Sequence, residues 1–159
     1  MQGSEALSVR EVTVGSRRLR ATIVVVDGCH LRTSAHAGML ASVRALFPDL
    51  SRHRCECGSP HGVLAELADT ELPHLLEHVA LELMALSGSP RSLCGETTWD
   101  FATDGRGTFR VSIEYDDDLV ALGALREGVD IVNTLIAGVR EPIDLDPVVE
   151  RIRAVRAGL

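Results

Sequence analysis

Two kinds of hydrophobic spacing alternate along the chain, and together they predict its elements. Ser8 to Val14 reads as a strand, and Arg18 to Asp27 as a stronger one through its β-branched run Thr22-Ile23-Val24-Val25-Val26. Gly15-Ser16 supplies a turn between them. Ser34 to Phe47 has helical spacing, with Met39, Leu40, Val43 and Leu46 on one side and Pro48 as the stop. Asp49 to Gly62 is rich in Cys, His, Gly and Pro and reads as a loop, followed by a short helical turn at Val63 to Leu67. A strong helix spans Glu71 to Leu86, with Thr70 as N-cap and Pro73 tolerated in the first turn, and Gly88-Ser89-Pro90 ends it. Strands follow at Ser92 to Phe101 and Thr108 to Tyr115, joined by the hairpin chemistry of Asp104-Gly105-Arg106-Gly107. Asp116 to Asp118 cap a long helix reaching Ala137, and a last helix runs from Leu145 to Arg156.

The order is strand-strand-helix-helix, twice. It predicts an α+β fold, an antiparallel sheet of about four strands with helices packed on one face. No stretch reads as a linker, so residues 1–159 are expected to form a single domain. With 45% apolar residues and only 3% aromatics, Leu, Val, Ala and Ile must build the core.

Charge narrows the function. A net charge of -7 argues against binding nucleic acid, and the densest basic run, Arg17-Arg18-Leu19-Arg20, is too small to reverse that. No apolar stretch approaches the roughly 20 residues that span a bilayer, and Met1 to Glu5 lacks the pattern of a signal peptide. A cytoplasmic location without membrane partners is expected. Cys29, Cys55, Cys57 and Cys94 are then expected as thiols, with Cys29 and Cys94 as buried small side chains.

The candidate chemistry sits on the Glu71–Leu86 helix, which contains H-x-x-E-H as His74, Glu77 and His78. At about 100° per residue, Leu72, Leu75, Leu76, Val79, Ala80, Leu83 and Met84 form one broad face. His74, His78 and Glu82, at i, i+4 and i+8, line the other, with Glu77 beside the histidines. Two imidazoles one turn apart can hold one zinc ion, a carboxylate can supply a third ligand, and an adjacent glutamate can take a proton from water. This is the arrangement of inverted zinc peptidases. Glu82 is favoured as third ligand, with Glu96, Glu114 and Glu127 as distant alternatives. The same line of polar residues is also what the solvated face of an amphipathic helix looks like.

Other residues offer weaker chemistry. His53, Cys55, Cys57 and His61 share one loop, but C-x-C is not the C-x-x-C spacing of ordinary structural zinc sites. Asp116-Asp117-Asp118 reads as capping rather than cation binding.

From Leu46 to Tyr115 the chain resembles the amino-terminal domain of cyanophycin synthetases. The matching residues are Leu46, Pro48 and Leu50; His53, Cys55, Gly58 and Gly62; His74, Glu77, His78, Ala80, Leu81, Glu82 and Leu83; and Gly95, Thr97, Glu114 and Tyr115. The resemblance implies a domain that, in the family, precedes two ATP-dependent ligase domains building a polymer of aspartate with arginine branches. These 159 residues hold neither ligase domain and no Gly-rich phosphate loop. It implies either a zinc-dependent hydrolase trimming such a polymer, or a binding module for growing chains, homo-oligomeric and serving a separate ligase. On the first view His74, His78 and Glu82 bind zinc, Glu77 is the base, and His53 and Thr97 contact the peptide or cyanophycin-like substrate. One departure stands out: where the family carries a pattern like G-R-T-R-E, this chain reads Gly95-Glu96-Thr97-Thr98-Trp99, without the basic residue.

Overall fold

Strand β2 (Arg18–Val25) shows why a two-sided sheet forms. Leu19, Ala21, Ile23 and Val25 are buried on one face, while Arg18, Thr22 and Val24 are half-buried and Arg20 exposed on the other. Strand β1 (Leu7–Val14) pairs with it antiparallel, with a bulge at Arg10, across a turn in which Gly15 donates to the Arg18 carbonyl. The computed structural model describes residues 5–26, 29–50, 54–55, 63–139 and 141–156, with the backbone alone at Arg54, Cys55, Val63 and Leu64.

The remaining elements are α1 (Met39–Leu46), β3 (Arg54–Cys55), α2 (Val63–Ala68), α3 (Leu72–Leu86), β4 (Cys94–Thr98), α4 (Phe101–Asp104), β5 (Thr108–Glu114), α5 (Asp118–Ile136) and α6 (Leu145–Arg156). The sheet order is β1-β2-β5-β4-β3, antiparallel between β1, β2, β5 and β4. The antiparallel four-stranded core of the predicted α+β fold is therefore present. Strand β3, inside the segment expected as a loop, adds a parallel edge through the pairs Arg54↔Cys94 and Cys55↔Gly95. Two residues carry no periodicity, so only the neighbouring strand defines them.

Three other boundaries differ from expectation. The Ser34–Phe47 helix splits into a 3-10 turn over Thr33–Ala35 and α1, which starts after Gly38 in a left-handed conformation (φ 77°). The β4–β5 connection is not a tight hairpin, because Asp100 caps the short helix α4 by accepting from the Thr103 amide. Helix α3 has Glu71 rather than Thr70 at its N-cap position, and no side chain caps it.

Helices α3 and α5 cover one face of the sheet. Gly128 lets them approach: a Cβ there would stand 3.1 Å from Leu76 Cδ1. Asn133 ties α5 to β1 through both backbone groups of Leu7, at 2.8 and 3.0 Å. Asp117 caps α5 by accepting from Leu119 and Val120, as the acidic run predicts. Asp116 instead clamps Arg156 of α6 and Ser89. Among the described residues, no helix is long and apolar enough to cross a membrane.

Candidate metal centre

Every residue of α3 from Leu72 to Met84 is buried, polar ones included. The apolar residues enter the common core beneath the sheet. The line of His74, Glu77, His78 and Glu82 is not a solvated face: the four are 9%, 0%, 0% and 1% exposed. Enclosing four ionisable groups is costly unless each is partnered, and the partners come from three other segments.

The two imidazoles meet edge to face, with His74 Nε2 and His78 Nε2 3.2 Å apart. Helix α2 brings Glu66 to the same place, so that ligand atoms of Glu66, His74 and His78 lie within 4.8 Å of one another. Two nitrogens bound tetrahedrally to one zinc at about 2.0–2.1 Å would stand about 3.3 Å apart. Donor type and spacing therefore fit a divalent transition ion. Burial pushes the His74 pKa down, against a smaller opposing effect of Glu71, which keeps the ring neutral as a ligand must be.

Glu77 is fixed from strand β4. Thr97 donates its hydroxyl to Glu77 Oε2 at 2.7 Å, and the same oxygen lies 3.8 Å from His74 Nε2. Gly95, two residues earlier on that strand face, makes room: a Cβ there would fall 2.6 Å from Glu77 Oε1 and 2.7 Å from its Cγ. The G-x-T segment thus forms a seat for the carboxylate. Thr97 is itself buried, and its hydroxyl is engaged by Glu77, rather than displayed as the substrate contact expected from sequence.

Glu82, favoured from sequence as third ligand, and the three alternatives lie or bond elsewhere. Glu82 receives both guanidinium arms of Arg91, at 2.8 and 3.1 Å. Glu96 faces the open side of the sheet, in a groove with Arg18, Arg20 and Arg110. Glu114 accepts from the Cys94 amide and Arg18, and Glu127 from Arg151. Sequence spacing does not point to Glu66, because it lies on a separate helix, and the break between α2 and α3 removes the helical phase that would relate it to His74. His53, Cys57 and His61 lie outside the described residues, as does the side chain of Cys55. Cys29 and Cys94 are half-buried rather than buried. Trp99 is 46% exposed and packs against Phe101 and Phe109.

Fold and site together define an α+β domain that encloses an imidazole–carboxylate cluster between one helix and a sheet strand. The model of the cyanophycin synthase-like N-terminal domain matches residues 22–137, a span that contains every residue of this cluster and its seat, and the chain belongs to that family. It is 32% identical over 100 residues to the cyanophycin synthetase of Synechocystis sp., a match covering 62% of this chain and 11% of that protein. The chain thus spans a small part of the curated relative it matches.

Proposed function

We propose that this domain is a metal-dependent hydrolase of amide or isopeptide bonds in a cyanophycin-like peptide. The observation that carries the reading is the convergence of Glu66, His74 and His78, with two ring nitrogens at 3.2 Å. His74, His78 and Glu66 would hold the ion, zinc being suited to this donor set. When bound, zinc supplies Lewis acidity toward water and a scissile carbonyl. Glu77 takes a proton from water and returns it to the leaving amine, and Thr97 orients its carboxylate. Glu82 serves instead as the buried anchor of Arg91.

The test combines zinc content with cleavage of an aspartate polymer carrying arginine branches. Wild type should contain about one zinc per chain, and Glu77→Gln should lower kcat by about 10²–10⁴ while retaining zinc. Cleavage unaffected by this change would remove Glu77 from the mechanism, and absence of zinc binding would remove the hydrolase reading.

The depth of the site, with Glu77 and His78 at 0% exposure, favours a second reading. There the domain is a non-catalytic binding module, as a homo-oligomer, for such a polymer or for a separate ligase. It predicts polymer binding by calorimetry without turnover.

A further inference from the structure

We propose that Thr70 and Glu71 are positioning residues that fix the tautomer of His74, holding its ring proton on Nδ1 and its lone pair on Nε2. This rests on, and deepens, the metal reading above. Thr70 Oγ1 lies 2.8 Å from His74 Nδ1 and 3.1 Å from Glu71 Oε2. A threonine hydroxyl has one proton to give, and an ionised carboxylate can only accept. The proton therefore goes to Glu71, and Oγ1 must accept from Nδ1–H. The opposite assignment would set Oγ1 against Glu71 Oε2 with no hydrogen between them.

The relay is anchored at its far end. Arg32 donates to Glu71 Oε1 at 2.8 Å, and also to the Asp69 side chain and carbonyl. Thr70 is itself clamped, its amide donating to Thr33 Oγ1 and its carbonyl accepting from the Thr33 amide. The hydroxyl thus has little freedom to turn. Thr70, expected from sequence as the N-cap, stands one residue before that position, and its hydroxyl serves the imidazole four residues on.

The consequence is an asymmetric pair. His74 presents a lone pair at Nε2 whether or not a cation is present. In the metal-free protein His78 Nε2–H donates to it across the 3.2 Å contact. His78 alone has to move its proton, from Nε2 to Nδ1, before both rings can ligate.

Long-range ¹⁵N–¹H spectra of the metal-free, histidine-labelled full chain test this without any activity. The expected result is the Nδ1–H tautomer for His74 and Nε2–H for His78, with only His78 switching on zinc addition. Thr70→Val should abolish the His74 bias and weaken zinc binding about 10–100-fold, and Thr70→Ser should restore both. Should Thr70→Val fail to fold, Glu71→Ala frees the hydroxyl to donate to Nδ1 and should move His74 toward Nε2–H. An Nε2–H tautomer in wild-type His74, or nitrogen shifts unchanged in Thr70→Val, overturns the proposal. A wild type that shows the Nδ1–H tautomer yet takes no zinc upholds the relay and refutes the metal reading alone.

Discussion

Helices α3 and α6 both place polar residues opposite an apolar stripe, and they use them in opposite ways. In α6, Val148, Val149 and Ile152 are buried while Glu150, Arg151 and Arg153 are exposed. In α3, His74, Glu77, His78 and Glu82 are enclosed. Helix α6 covers the outside of α5, whereas α3 has the sheet and α5 on its apolar side and receives α2, β4 and Arg91 on its polar side. An amphipathic pattern thus reports which residues seek the core, not which reach water. Where the polar side is also covered, each buried group needs a dedicated partner, and it is those partners that assemble the candidate site.

The contrast can be broken most strongly at the ion pairs. Arg91→Ala removes the guanidinium that grips Glu82, 1% exposed, and should cost about 3–5 kcal/mol by urea denaturation. A loss below about 1 kcal/mol would place Glu82 in effective contact with solvent and erase the difference between the helices. Next, Gly95→Ala puts a methyl within 2.6–2.9 Å of the Glu77 carboxyl and should cost about 1–3 kcal/mol. Stability equal to wild type would mean that β4 does not seat Glu77.

A smaller effect follows from His74. Its folded pKa is lowered by burial, so below pH 6.5 the unfolded chain binds more protons than the folded one. The stability contributed by the neutral ring is complete above pH 6.5 and is lost as pH falls through that value toward the folded pKa. In the metal-free protein, His74→Gln should flatten this part of the stability–pH curve, and an unchanged slope would contradict the shift. Least affected should be Arg151→Ala on α6, whose solvent-exposed guanidinium pairs with Glu127, and its urea midpoint should stay within error of wild type.

Much of the fold was legible because local chemistry speaks for itself. The β-branched run of β2, the Asp117 cap of α5 and the bounds of α6 need only neighbours in sequence. The H-x-x-E-H helix was equally plain, since i, i+4 spacing fixes two side chains on one side of any helix. Legibility failed where a contact joins segments. Strand β3 exists through pairing with β4, Glu66 reaches the histidines across the break between α2 and α3, and Glu82 turns to Arg91 rather than to His78. In sequence the G-x-T segment is only a family signature, and its seat for Glu77 forms once β4 lies against α3.

Sequence alone determined the α+β class, the helix bearing His74, Glu77 and His78, and the family likeness, because backbone periodicity and motif order are properties of a contiguous stretch. Tertiary structure decided which carboxylate joins the imidazoles, that the polar side of α3 is closed, and that Thr70 serves His74 instead of capping a helix. Those outcomes depend on distances between residues far apart along the chain or on either side of a helix start. Such distances are set by how the whole sheet and helix layer pack.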